Sequence, residues 1–400
     1  MSNHLRAFLF DPSHAGQSVI DSIFAQWDKG NAVCVINGNL PKSTLDSAIL
    51  CVDPSEVTHF DGSIDKRKLA IVETPNLAVV SLTSGTTSNP KPVELSFQAM
   101  SSSANSLYRA ADLDDSARWL CCLPPYYIAG LAVIARSWIK EVPVSFHNTF
   151  DLEKVSNEIN SNSVDAISLI PNQLKQLLDA NVDLSKLQTI LVGGSSVDFN
   201  LQNTVLNLGL NVHFTYGLTE TFGGICLDHK LFDNTEAEIV NGQIYLRSGS
   251  MMSGYRHDQR LTFHKLTHDG WFATGDLGTY ENNILNVTGR IDDLINSGGI
   301  KIEPLLIEKA MQSIGYNQAI VVATPHNKLG QCLTVVFNNK SDISGIKKIR
   351  DDLRPLLPST HLPIRIAISN KFDGNTSAKI NRKEVASDCE IISEYDLEKK

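Results

Sequence analysis

Little in this sequence is basic. Lys and Arg number 35 against 44 Asp and Glu, giving a formal charge of −9 with no Lys/Arg stripe. Nucleic-acid binding, which needs clustered cations against the phosphate backbone, is therefore disfavoured. Long apolar runs are also missing. The longest, Tyr126 to Ala135, is about half of what a bilayer span requires. Met1-Ser-Asn-His-Leu-Arg6 lacks a basic segment followed by an apolar one, so no signal peptide is expected. The seven cysteines (34, 51, 121, 122, 226, 332, 389) have neither CxxC nor Cys/His metal spacing, and an odd number argues against a secreted disulfide framework. A cytoplasmic protein with reduced thiols is the simpler expectation, Cys121 and Cys122 serving as small hydrophobes. No internal repeat or low-complexity segment is present. What remains is 400 residues, 42% apolar and 20% charged, enough for two or more globular domains.

Short apolar runs alternate with amphipathic ones over most of the chain. Ala32–Ile36, Leu77–Leu82, Ala166–Ile170, Thr189–Val192 and Val212–Thr215 read as buried strands, and Phe97–Ala111 and Asp151–Asn160 as helices. Such alternation predicts an α/β fold with mostly parallel sheets, whose ligands sit on loops leaving the strands' carboxyl ends. From about Asn241 the strands become shorter. A boundary is expected in Gly289-Arg290-Ile-Asp-Asp-Leu-Ile295, dividing a large domain (1–290) from a small mobile α+β domain (291–400). The latter is read as helix Pro304–Ser313, strands Ala319–Ala323 and Leu333–Phe337, a helix near Ile346–Leu356 and a final strand Ile364–Ile368. Its charged tail, Ser393–Lys400, is expected to fray.

Five segments carry chemistry. Ser81-Leu-Thr-Ser-Gly-Thr-Thr-Ser-Asn-Pro-Lys91 follows an apolar strand with hydroxyls, a glycine and a lysine, the donors that hold phosphates. It is not a GxxxxGK[ST] loop, because Pro90 precedes and Pro92 follows Lys91; alone it could be a polar turn. Thr215-Tyr-Gly-Leu-Thr-Glu220 ends a strand with a carboxylate suited to Mg²⁺, or simply to a helix N-terminus. Gly270-Trp-Phe-Ala-Thr-Gly-Asp276 delivers one acid, able to accept two ribose hydroxyls or to close a hairpin as an Asx turn. Gly289-Arg290-Ile-Asp292-Asp293-Leu-Ile-Asn-Ser-Gly298-Gly299 suggests a junction that bends, although Arg290 and Asp292 could be a surface pair. Asn375-Thr-Ser-Ala-Lys379-Ile-Asn-Arg382 presents a lysine in a polar loop.

Together and in this order the five resemble the adenylate-forming superfamily of acyl-CoA ligases, peptide-synthetase adenylation domains and luciferases. That family's motifs read close to TSGTTGxPKGV, YGxTE, GWxxTGD, GRxDDxIxxxG and GKxxR. The resemblance spans nearly everything from residue 77 onward. It implies that Thr83, Ser84, Gly85, Thr86, Thr87 and Lys91 line the phosphates of ATP, and that Gly193, Gly194, Ser195 and Tyr216 flank the adenine. It implies that Thr219 touches the α-phosphate, Glu220 holds Mg²⁺, and Asp276 and Arg290 hold the ribose. Asp292 would be the hinge and Lys379 the adenylation lysine. Three positions depart from the family: Ser88 and Pro92 stand where glycines are usual, and Ala378 replaces the glycine before the lysine. Pro92 lacks an N–H and has a fixed φ, so a stiffer loop is expected.

One branch fits best. Leu123-Pro-Pro-Tyr-Tyr-Ile-Ala-Gly-Leu-Ala-Val-Ile-Ala-Arg-Ser137, Ser168-Leu-Ile-Pro-Asn-Gln-Leu174, Leu191-Val-Gly-Gly-Ser195 and Thr219-Glu-Thr-Phe-Gly-Gly224 are similar to short o-succinylbenzoate–CoA ligases, whose compact form is typical of actinobacteria. The phosphate loop's early position also reads as an abbreviated N-terminal region. The resemblance implies ATP, Mg²⁺ and CoA as cofactor and co-substrates, and a di-acid of which one carboxylate is activated and the other recognised in menaquinone biosynthesis. Tyr127, Arg136 and Gly217 would face that acid. Arg136 is the candidate for the retained carboxylate, since guanidinium binds carboxylates bidentately; capping a helix is the alternative. Tyr127 stands where histidine is frequent, as a gate or as a core tyrosine. Other functions stay open: a ligase for another acyl or aryl acid, an enzyme loading a carrier protein, or a non-catalytic relative. The absence of a carrier-protein segment beyond residue 400 is taken to weaken, without excluding, the second of these, and the retained charges argue against decay. A homo-oligomer is left open.

Overall fold

The computed structural model describes residues 4–13, 16–67, 74–83, 90–195, 197, 199–316, 319–338, 345–371 and 381–397. It divides into two compact units, Met1–Ala237 with Tyr245–Ala273, and Glu238–Ile244 with Thr274–Lys400. The boundary expected after Arg290 falls inside the second. Among the described residues no helix is long and apolar enough to cross a membrane.

The first unit holds two seven-stranded sheets. One runs Gly254–Tyr255, Lys91–Ser96, Leu77–Thr83, Ala32–Asn37, Leu5–Phe10, Glu56–Thr58, Ile64–Lys66. Its middle is parallel and its edges antiparallel. The central strands are apolar almost without break because both faces are covered. Leu5, Ala7 and Leu9 join one core, whereas Phe8 and Phe10 join another. The second sheet runs Lys230–Leu231, Gly223–Leu227, Val212–Leu218, Thr189–Val192, Ala166–Leu169, Trp119–Cys121, Val144–Phe146. Five of these are parallel, from Val212–Leu218 to Val144–Phe146. Here too alternate residues face different cores: Trp119, Cys121 and Leu191 on one side, Leu120, Ile167 and Ile190 on the other. The first of these cores is shared by both sheets with helices Phe97–Ala110 and Ile128–Lys140. Helix starts are set locally, for example by Ser96 accepting from the Ala99 N–H and Asp151 from the Lys154 N–H.

In the second unit, strands Gly330–Phe337 and Arg365–Ile368 pair in parallel, and Ala319–His326 lies antiparallel on the former. Helices Pro304–Ser313 and Ile346–Leu353 cover one face. Two expectations need correction. Strand Arg365–Ile368 is not the last, because helix Arg382–Asp388 and strand Glu390–Glu394 follow it. The tail also does not fray from Ser393: Glu394 pairs with Arg365 at 3.2 Å and the Tyr395 ring lies 3.9 Å from the Arg350 guanidinium.

Candidate active site

The phosphate-type segment is a hairpin stem. Thr83 stands opposite Lys91 in antiparallel register, and both are partly buried. Ser84, Gly85, Thr86, Thr87 and Ser88 lie outside the described residues. Pro92, expected to stiffen the loop, belongs to the stem: it faces Leu82, and its carbonyl accepts from the Arg256 N–H at 2.8 Å.

Two further segments leave the second sheet side by side, at the carboxyl ends of parallel strands. Val192 pairs with Phe214, so Gly193 follows beside Thr215. A Cβ on Gly193 would lie 2.2 Å from the Thr215 hydroxyl oxygen, and Gly194 has φ +86°. Gly217 sits where the register of Val212–Leu218 slips against Gly223–Leu227; a Cβ there would lie 1.9 Å from the Gly223 carbonyl oxygen. Both glycines thus have a packing reason whatever ligand they face. Thr219–Thr221 then forms a single 3-10 turn. The buried Thr221 hydroxyl accepts from the Leu218 N–H at 2.9 Å and lies 2.7 Å from the Gly223 carbonyl it donates to. The Glu220 carbonyl accepts from the Met252 N–H at 2.8 Å, and its carboxylate Oε1 accepts from the Tyr255 hydroxyl at 2.7 Å. This turn lies beside Leu77–Thr83 and Lys91–Ser96, the strands whose ends carry Thr83 and Lys91. Tyr216 and Ser195 are half-buried near their strand ends.

Glu220 suits a hard cation. Its donor is a carboxylate oxygen, and among the described residues no group of three or more His, Cys, Asp or Glu could hold a metal alone. A metal there would draw its other ligands from phosphates and water, as Mg²⁺ does.

Arg136 occupies the third turn of helix Ile128–Lys140 and is 6% exposed. Among the described residues its Nε and Nη1 have no hydrogen-bond partner, and its guanidinium carbon lies 5.3 Å from the Trp119 ring centroid. Burial pulls the guanidinium down to about 10, still cationic near neutrality. A helix cap would have its N–H groups on carbonyls, so that alternative does not describe it. Tyr127 precedes the same helix and is 46% exposed against Tyr126, so it is not a core tyrosine. Cys121 and Cys122 are buried, and burial pushes the Cys121 thiol up to about 12, in keeping with hydrophobe roles.

In the second unit, Asp276 and Arg290 face each other across strands Phe272–Glu281 and Ile284–Arg290, Nη1 to Oδ1 3.2 Å. Asp276 is mid-strand and not in an Asx turn; the bend is at Asn282 and Asn283, with φ +51° and +63°. Arg290 thus pairs with Asp276, not with the exposed Asp292, which lies in the 3-10 turn Ile291–Asp293. Lys379 and Ala378 lie outside the described residues. Sequence reasoning missed Tyr255, which reaches Glu220 across 35 residues through sheet pairing and carries no local signal.

Residues 26–256 match the family model described as AMP-binding enzyme. The chain is 30% identical over 325 residues to the probable 2-succinylbenzoate–CoA ligase of Mycobacterium tuberculosis (strain H37Rv), covering 77% of this chain and 83% of that one. It is 27% identical over 398 residues to the 2-succinylbenzoate–CoA ligase of Listeria monocytogenes (serotype 4b), covering 91% and 85%. Among solved structures, o-succinylbenzoate CoA synthetase from Bacillus subtilis in complex with the acyl-adenylate intermediate OSB-AMP has TM-score 0.83 at 22% identity, with 95% and 87% covered. ATP-bound MatB from Rhodopseudomonas palustris has TM-score 0.83 at 18% identity, with 97% and 89% covered. At those identities the structures establish the fold.

Proposed function

This chain belongs to the AMP-binding enzyme family, and on that premise we propose that it is an AMP-forming acid–thiol ligase that converts o-succinylbenzoate, ATP and CoA to o-succinylbenzoyl-CoA, AMP and pyrophosphate. The observation that supports the reaction is that the Glu220 turn lies beside the two strands whose ends carry Thr83 and Lys91, so that a hydroxyl, a cation and a carboxylate stand on neighbouring elements. The choice of acid is supported by the curated relatives and by Arg136, a buried cation whose Nε and Nη1 have no hydrogen-bond partner among the described residues.

In the first step a substrate carboxylate oxygen attacks the α-phosphorus and pyrophosphate leaves. Both reactants are anionic, so repulsion is the main obstacle. Lys91 and the hydroxyls of Thr83, Ser84, Thr86 and Thr87 hold the departing phosphates, and Thr219 meets the α-phosphate. Glu220 holds the Mg²⁺, which supplies charge neutralisation when bound. Gly193, Gly194, Ser195 and Tyr216 take the adenine, Asp276 and Arg290 the ribose. Arg136 fixes the carboxylate that does not react, with Tyr127 and Gly217 beside the acid. In the second step the CoA sulfur attacks the acyl carbonyl, AMP leaves and the thiol proton is released. Lys379 serves the first step. It withdraws as residues 291–400 turn about Asp292, so that one site takes two shapes in succession. The setting is menaquinone biosynthesis in the cytoplasm.

The test is a panel of acids scored by CoA-dependent AMP release. We expect o-succinylbenzoate to give the highest kcat/KM. Turnover of benzoate or fatty acids with o-succinylbenzoate untouched overturns the assignment, and transfer to a carrier protein but not to CoA replaces it.

A further inference from the structure

We infer that Tyr255 is a positioning residue that aims the Glu220 carboxylate at the magnesium ion; this rests on the reading of Glu220 as the metal carboxylate. Glu220 lies on a three-residue turn, which fixes its backbone but leaves its side-chain torsions open. Met252 pins the backbone through its N–H, and the Tyr255 hydroxyl pins Oε1 at 2.7 Å. That leaves Oε2 to meet the cation. Mg²⁺ tolerates little departure from octahedral geometry, so a ligand oriented in advance binds it better. The partner's chemistry fits as well. A phenol O–H orients a carboxylate without neutralising it, whereas a lysine or arginine would compete with the metal.

Tyr255 is itself held firmly. It is 6% exposed and pairs antiparallel with Val93, on the strand that begins at Lys91. Its N–H donates to the Thr262 hydroxyl at 2.9 Å. The next residue, Arg256, makes a buried ion pair with Glu94 at 2.8 Å and also donates to the Val52 carbonyl at 2.6 Å. Glu94 accepts in turn from the Thr74 hydroxyl at 2.6 Å. One strand pairing therefore sets the phosphate-stem lysine and the metal carboxylate in a common frame. Tyr255, Arg256, Glu94 and Thr74 are not marked by the five sequence motifs.

The experiment is calorimetric binding of ATP to wild type, Tyr255→Phe and Glu220→Gln, each with Mg²⁺ and in EDTA. For Tyr255→Phe we expect the factor by which Mg²⁺ tightens ATP binding to fall about ten-fold or more. Affinity in EDTA should stay at the wild-type value, and the melting temperature should hardly move. An unchanged Mg²⁺ factor in Tyr255→Phe alongside a reduced one in Glu220→Gln overturns the inference and leaves the metal reading standing. An unchanged factor in both overturns both. Equal weakening with and without Mg²⁺ also overturns it, since that is a packing defect. If Tyr255→Phe does not fold, 4-fluorophenylalanine at 255 fills nearly the same space without an O–H donor, and an unmoved Mg²⁺ factor there overturns the inference equally. Binding does not depend on the acid, so a wrong substrate assignment leaves this outcome readable.

Discussion

Arg136 carries a charge into a place where two of its N–H-bearing nitrogens find no hydrogen-bond partner among the described residues. A buried uncompensated charge is costly in the free protein and valuable once a carboxylate arrives. A charge-assisted hydrogen bond contributes about 1.5–3 kcal/mol. Arg136→Gln is therefore expected to lower kcat/KM for o-succinylbenzoate by about 10- to 100-fold, with the melting temperature unchanged or raised. An equal loss for every acid together with a lower melting temperature would make Arg136 a packing residue. At this scale the sequence singles out side chains that sit in a recognisable string, as with Lys91, Glu220, Asp276 and Arg290. It was silent where the partner lies far along the chain. Nothing near Tyr255 points to Glu220, and nothing near Arg290 says that its partner is Asp276 rather than Asp292.

The strands leading to the site were legible because a strand buried on both faces must be apolar throughout. Thr189–Val192 was read to the residue, and the amphipathic stretch Asp151–Asn160 is the helix Leu152–Asn160 with Asp151 as its cap. Leu5–Phe10 is also buried and paired on both sides, but Arg6 interrupts its apolar run and no motif drew attention to it. The final strand Glu390–Glu394 was hidden by its charge: edge strands can be exposed and polar, and this one is held by pairs such as Arg365–Glu394. Gly217 gives the element-scale prediction. Its Cβ position collides with backbone, not with a movable side chain, so relief requires opening the bulge between Val212–Leu218 and Gly223–Leu227. Overpacking of this kind costs about 1–3 kcal/mol or more. Gly217→Ala should lower the melting temperature as well as the activity, whereas loss of activity at an unchanged melting temperature would mean that Gly217 acts only through the acid.

Across the whole molecule, the proposal is that two reactions use one site in turn. Lys379→Ala should abolish acid-dependent ATP–pyrophosphate exchange and leave thiolysis of a supplied acyl-adenylate largely intact; equal loss of both would refute its role. The α/β class and the presence of a second, smaller α+β region were readable from the change in strand pattern near Asn241. Which residues group together was harder to read, because Glu238–Ile244 belongs with Thr274–Lys400 although 29 residues of the other unit, Tyr245–Ala273, intervene. The most direct test of the chemistry is oxygen transfer. With o-succinylbenzoate labelled with ¹⁸O in both carboxylates, and with ATP, Mg²⁺ and CoA, the enzyme should release AMP bearing one ¹⁸O for each thioester formed. Unlabelled AMP, or no AMP above the acid-free blank, would contradict attack of the acid on the α-phosphorus.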